Sequence, residues 1–231
     1  MVQIENKLIY QTGAVGILHK KHLKLFYLGI TETLKNLKKS CLTNEESCEK
    51  CNSNFLDYRP CEFDEIINEI NKIAIVGLYH MWERNLKELL IYGSEGKNPN
   101  KKDVDKYSLK DLKNTFNQCQ QCSSILLNLF DSLEKYATLT NAIKHGSGPS
   151  MKKLEKLYPC FFYNETNKGT LMHFEDGDYY MQIAVEPLVT ETNIQELYDI
   201  LMLFWDNVPT QLELEHNAFE TVKSKRNLNV R

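Results

Sequence analysis

Apolar residues return every three or four positions through four stretches of this chain, and at every second position through one. The first pattern is that of an amphipathic helix and the second that of a strand. Leu18, His22, Leu25, Phe26, Gly29, Thr33 and Leu37 predict a helix from about Val15 to Ser40, with lysines on its other side. Residues 41–60 carry Asn, Ser, Glu and Cys without a period and predict a long polar loop. From Phe63 the spacing resumes: Ile66, Ile67, Ile70, Ile73, Ala74, Gly77, Leu78, Met81, Trp82, Leu86, Leu89 and Leu90 define a long helix stopped by Gly93. Such a helix is about 45 Å long at 1.5 Å per residue. Residues 94–105 read as a surface loop, and Ser108 caps a short helix that begins near Leu109.

A second long helix spans Ser123 to His145, its buried side marked by Leu126, Leu129, Leu133, Tyr136, Thr140 and Ile143. Gly146 supplies the left-handed residue that ends it, and Pro149 blocks its continuation. Residues 170–186 predict a small β-hairpin: Tyr179, Met181, Ile183 and Val185 alternate after an Asp176-Gly177 turn. Thr192-Asn193-Ile194-Gln195 reads as a capping box for a C-terminal helix. That helix carries Ile194, Leu197, Tyr198, Leu201, Phe204 and Trp205 on one face and ends at Val208-Pro209. The tail from about residue 213 is polar and reads as loosely held. The expected fold class is mainly α: a helical bundle with two long helices, a small β-hairpin near 170–186 and a C-terminal helix, forming a single domain over 1–231.

Composition narrows the function. With 42% apolar and 26% charged residues in 231, the chain can bury a substantial core. A net charge of -3 argues against a general coat for nucleic acid and leaves room for a local basic patch. No apolar stretch has membrane-spanning length, and residues 1–7 lack the charged-then-apolar order of a secretory signal. A cytoplasmic protein without a membrane partner is expected, its seven cysteines reduced. There is no phosphate-binding Gly-x-x-x-x-Gly-Lys loop, no dinucleotide fingerprint and no Gly-x-Ser-x-Gly elbow. No cofactor is expected.

The polar residues that close the second long helix carry the most chemistry. In Thr140-Asn141-Ala142-Ile143-Lys144-His145-Gly146, Asn141 and His145 lie four apart on one helix face. An imidazole there can take or give a proton near neutral pH, and it also suits a helix C-terminus with no chemistry at all. The Asn-x-x-x-His arrangement late in a helical bundle resembles the motif helix of the HEPN superfamily. The block from Leu139 to Ser150, with Leu154, Pro159 and Phe161 downstream, is similar to that of a group of uncharacterised bacterial proteins. The resemblance implies a small, often dimeric all-α domain. It further implies a metal-independent endoribonuclease of toxin–antitoxin or phage-defence type.

The family signature is Arg, a polar residue, three more residues, then His. Asn141 and His145 match, whereas Thr140 stands where the family has Arg. Thr brings no positive charge to the phosphate, so the resemblance requires a borrowed cation, with Arg84 and Lys144 as the candidates. In this reading His145 transfers the proton and Asn141 orients it or the phosphate.

Two other constellations compete. His80 and Arg84 share a helix face at spacing four, as do Glu83 and Lys87, the latter pair reading as a surface ion pair. Cys48 and Cys51, with Cys41 and Cys61, form one cysteine cluster and Cys119 with Cys122 another. The two pairs lie too far apart for a zinc ribbon, so reduced thiols and no metal site are expected, with a four-thiolate zinc site at the first cluster as the alternative. Three functions follow in order: an RNA-targeting endoribonuclease, a non-catalytic interaction or dimerisation module, and a zinc-stabilised regulator. The partners expected are RNA, an antitoxin or other protein, and a second copy of the chain as a homodimer.

Overall fold

A computed structural model describes residues 7–48, 60–92, 94–95, 100–119, 121–146, 148–162 and 186–215, and within them it is mainly helical. Helices α1 (Gly13–Cys48) and α2 (Pro60–Tyr92) are followed by two short helices, α3 (Lys101–Val104) and α4 (Leu109–Phe116). Then come α5 (Ser124–His145), α6 (Pro149–Leu157), a single 3-10 turn at Pro159–Phe161, and α7 (Glu191–Asn207). The expected hairpin at 170–186 lies outside the described residues but for Glu186. What the described residues contain instead is a three-stranded antiparallel sheet of β1 (Lys7–Gln11), β2 (Ser94–Glu95) and β3 (Gln211–Glu215), ordered β2-β1-β3.

Three expectations need correction here. Residues 94–105, expected as loop, contain β2 and α3, the latter opened by the Asn100 cap. The polar stretch 41–60 is not loop throughout, because α1 continues to Cys48. Its polar residues still propagate a helix, since each added residue costs little once the helix is nucleated. The start of the tail is not loose either. Residues 211–215 pair in register with β1, Lys7 opposite Glu215 and Gln11 opposite Gln211. Pairing of the two segments satisfies backbone groups that an isolated strand would leave to water.

The core forms where α2, α4, α5 and α7 meet. Trp82, Phe116, Phe130 and Phe204 are all fully buried. Their rings sit edge-on or tilted, with Trp82 and Phe130 each 5.1 Å from Phe204 and Phe116 5.5 Å from Phe130. That geometry suits the ring quadrupole. Around it pack Leu78, Leu86, Leu126, Leu133, Leu139, Leu197 and Leu201.

Helix α1 buries a different face from the one its spacing suggested. Gly16, His19, Leu23 and Leu34 turn inward, whereas Leu18 and Leu25 are half exposed or more. The reason is that α1 serves two neighbours at once. Toward α2, Phe26 lies over Gly77, where an added Cβ would come within 2.5 Å of the ring. Toward α7, Tyr27 stacks on Tyr198 at 4.2 Å, and Lys20 and Lys38 pair with Asp206 and Glu191. Two lysines of the wet face, Lys20 and Lys38, therefore reach across to α7, while Lys21, Lys24, Lys35 and Lys39 are exposed as that reading has them.

Local signals set the helix ends. Ser108 caps α4 and forms a reciprocal capping box with Asp111. The box that opens α7 uses Thr190 and Asn193, two residues earlier at its N-cap than the sequence reading placed it. Ahead of α7, residues 186–190 run along α2. There Asn68 accepts from the Val189 amide, Asn71 donates to the Val189 carbonyl, and the buried Lys72 ammonium joins Glu69 and Glu186 at 2.6 Å each. Burial works against that ammonium, but its hydrogen bonds to Glu186 and Glu69 outweigh it and raise its pKa above the usual lysine value.

Candidate functional site

Helix α5 is capped at its start by Ser123, whose hydroxyl accepts from the Leu126 amide. It ends at Gly146, whose φ of 61° lies in the left-handed region that glycine tolerates and whose amide donates back to the Ala142 carbonyl. The last two turns change character within four residues. Thr138, Leu139, Thr140 and Ala142 are buried, whereas Asn141, Lys144 and His145 are exposed. The structure thus puts Asn141 and His145 on one open face with Lys144 beside them. Lys144 and His145 also lie at the negative end of the helix dipole.

The chain reverses through Gly146 and Gly148 into α6, which starts on Pro149 and returns along α5. The return is seen in Lys153, whose ammonium reaches Glu134 at 3.8 Å, eleven residues back from His145. Leu154 is the buried residue that anchors α6, while Lys152, Lys153 and Lys156 are exposed. The α5–α6 corner therefore carries four ammonium groups and His145 against Glu134 and Glu155. It is a basic patch on a chain whose overall charge is negative.

Thr140, at the position of the family Arg, is buried, and its hydroxyl has no hydrogen-bond partner among the described residues. It offers nothing to a ligand at the surface. Arg84 is not brought to this corner. Trp82, two residues before it, touches Phe130 at 6.2 Å between ring centres. His145 is fifteen residues farther along α5 than Phe130, which at 1.5 Å per residue is roughly 22 Å of axis. That exceeds the reach of an arginine side chain. Of the two candidate cations, Lys144 adjoins His145.

Arg84 belongs elsewhere, in a groove of about 610 Å³ between α2 and α3. Glu83 organises its floor. One carboxylate oxygen accepts from the Lys87 ammonium at 3.0 Å, and the other faces His80 Nδ1 at 3.4 Å. Lys87 also donates to the Asp105 carbonyl at 3.1 Å, tying α3 down. The Glu83–Lys87 pair is thus half buried, not a freely solvated surface contact. Lys101 and Asp105, on the opposite wall, were not singled out from the sequence. Their signal was the helix start at Asn100, whose side chain accepts from the Lys102 amide.

A buried imidazole was also missed. His19 lies against Trp205 with ring centres 4.7 Å apart, and neither its Nδ1 nor the Trp205 Nε1 has a partner among the described residues. Burial, with the nearby charges of His22 and Arg84, lowers its pKa to about 4. At neutral pH it is an uncharged packing group. The Cys122 thiol just ahead of α5 is equally quiet. A hydrogen bond with Cys119, and then burial, hold the Cys122 thiol well above the usual thiol range, which makes it a weak nucleophile.

Among the described residues no three His, Cys, Asp or Glu side chains gather as metal ligands. Of the first cysteine cluster, Cys41 and Cys48 fall within α1 and Cys61 within α2, while Cys51 lies outside the described residues. Also among the described residues, no helix is long and apolar enough to cross a membrane. Fold and site together define a mainly helical protein with a polar, basic helix end. Compared with protein-family models, with curated proteins and with solved structures, the chain matches none.

Proposed function

We propose that this chain is a HEPN-like helical protein of an RNA-targeting defence or toxin–antitoxin system, acting on RNA at the α5–α6 corner as a metal-independent endoribonuclease. The observation that carries the reading is the exposure of Asn141, Lys144 and His145 together on the final turns of α5, with three further exposed lysines along α6 as it returns beside α5. Lysines arranged in this way attract the phosphate backbone of RNA in a salt-dependent manner. Within the site, His145 takes the proton from the ribose 2′-hydroxyl as it attacks the adjacent phosphate, and the departing 5′-oxygen gains a proton in turn. Asn141 orients the phosphate through its amide. Lys144 supplies the positive charge that Thr140 does not, as a point charge without the bidentate geometry of arginine.

The test is incubation of the pure chain with single-stranded RNA in the presence of a chelator, repeated with His145→Ala and Lys144→Gln. Cleavage that is lost in the first variant and reduced at least roughly tenfold in the second supports the assignment. Cleavage that survives His145→Ala refutes it.

A second reading, a non-catalytic module that binds an antitoxin-like protein or a second copy of itself, draws on the outer face of α1. Ile17, Leu18, Leu25 and Leu28 stand there half exposed or more. An exposed apolar row of this kind marks an interaction surface. Sedimentation of the chain beside a Leu18→Glu, Leu25→Glu variant checks it. A dimer that falls apart in the variant supports self-association through α1, and a monomer in both cases removes the homodimer.

A further inference from the structure

The α2–α3 groove plays no part in the chemistry at His145, and it has the attributes of a ligand site in its own right. Its volume of about 610 Å³ is that of a small-molecule site. Its walls are set by interactions within the fold, since Glu83 pairs with Lys87 and faces His80, and Lys87 holds α3. Four charged side chains are left over. Arg84 and Lys101, and opposite in sign Glu88 and Asp105, line the groove with no ion pair among the described residues. His80, its Nδ1 turned to Glu83, keeps Nε2 as its unengaged nitrogen. Tyr92 adds a ring that is 62% exposed on the same groove.

Each of these features restricts the ligand. A simple anion answers Arg84 and Lys101 but leaves two carboxylates facing it. An apolar molecule desolvates four charges and returns nothing. A ligand that satisfies all of them has an anionic end, a set of N–H or O–H donors and a flat aromatic part. We infer that the groove binds a nucleoside monophosphate. The phosphate is held by Arg84 and Lys101 with His80 beside it, the ribose hydroxyls or base amines donate to Glu88 and Asp105, and the base stacks on Tyr92. Arginine suits the phosphate through paired parallel hydrogen bonds. Base stacking on an exposed aromatic contributes about 1–3 kcal/mol by alanine substitution.

The inference stands apart from the reading of His145. The two sites lie at different levels of the bundle and share no residue.

Equilibrium dialysis of the full chain against AMP, GMP, CMP and UMP, with inorganic phosphate as a separate arm, tests it. At least one monophosphate is expected to bind with a Kd below about 1 mM. Arg84→Gln and Tyr92→Ala, both at exposed positions, are each expected to weaken that binding at least roughly tenfold. Asn141→Ala and His145→Ala are expected to leave it unchanged. Displacement of the bound monophosphate by a short RNA would assign the groove to a strand terminus, and lack of displacement to a free nucleotide. The inference is overturned if no monophosphate binds up to about 10 mM, if both groove variants bind as the parent does, or if phosphate alone binds as tightly. RNA cleavage is read with His145→Ala and Lys144→Gln, so a failure of either proposal is separable from a failure of the other.

Discussion

Helix α5 contains two regions of opposite character. From Leu126 to Leu139 it is a packing element: Phe130 joins the aromatic cluster, and the Tyr136 hydroxyl donates to the Asn193 carbonyl of α7 at 3.1 Å. From Asn141 to His145 its exposed side chains are polar or basic and have no structural task in the described fold beyond suiting the helix end. Packing is concentrated in the first region and the chemistry proposed for this chain falls on the second, with Thr140 at the boundary between them. The two regions should therefore fail in different ways when they are substituted.

The largest effect belongs to the packing region. Phe130→Ala removes a fully buried ring that contacts Trp82, Phe116 and Phe204. A loss of about 3–5 kcal/mol is expected, read as a lowered midpoint in urea unfolding. A loss below about 1 kcal/mol would mean that the four rings do not form the centre of the fold.

A smaller effect comes from the α1–α7 seam. His19 has a pKa of about 4 in the folded chain against about 6.5 when unfolded. Between these values the unfolded chain binds a proton that the folded chain does not, so stability falls as pH falls. The linkage contributes fully above about pH 6.5 and is lost as pH drops toward 4. From pH 7 to pH 5 the loss is about 2 kcal/mol. Urea midpoints across that range should fall for the parent and flatten in His19→Phe. An unchanged slope in the variant would place the linkage on another group.

What the sequence disclosed and what it concealed follow the same division. Helix ends were legible where one residue settles the matter, as with Ser108, Ser123 and Gly146. So was the buried side of α5, because that helix packs on several neighbours with one clear apolar stripe. The face of α1 was misread because the helix has two neighbours and an apolar row left over. Periodicity finds rows and does not say which of them is covered. The strand at 211–215 was hidden for another reason. Its partner lies some two hundred residues away, and no local pattern records a pairing over that distance.

At the candidate site, the sequence put Asn141 and His145 on one face and could not tell an open face from a closed one. It offered Arg84 and Lys144 as equal cations because the level at which α2 meets α5 is a tertiary property. The groove was half legible. His80, Glu83, Arg84 and Lys87 share a stretch of helix, whereas Lys101 and Asp105 reach them through a turn that carries no distinctive spacing.

The boundary residue provides a finer test. The Thr140 hydroxyl is buried without a partner among the described residues, an arrangement that costs about 1–3 kcal/mol. Thr140→Val keeps the shape and removes the unsatisfied group, while the two residues differ little in helix propensity. The variant should be at least as stable as the parent, by up to about 1 kcal/mol, with RNA cleavage unchanged. A clear destabilisation would show that the hydroxyl has a partner, such as an internal water. A loss of cleavage at unchanged stability would move the functional boundary one residue inward.

The smallest effect on stability is expected where the effect on function is largest. Asn141 and His145 are exposed, and neither side chain makes a hydrogen bond or ion pair within the described residues. Truncating either to alanine should shift the unfolding midpoint by no more than about 0.5 kcal/mol. For His145 a few tenths of that would come from its place at the helix C-terminus. If His145→Ala instead unfolds the chain by several kcal/mol, the ring is a structural cap and the division of α5 into two regions fails. If the midpoint holds while RNA cleavage disappears, the loss cannot be attributed to the fold. The last turn of α5 is then dedicated to chemistry that the rest of the helix only supports.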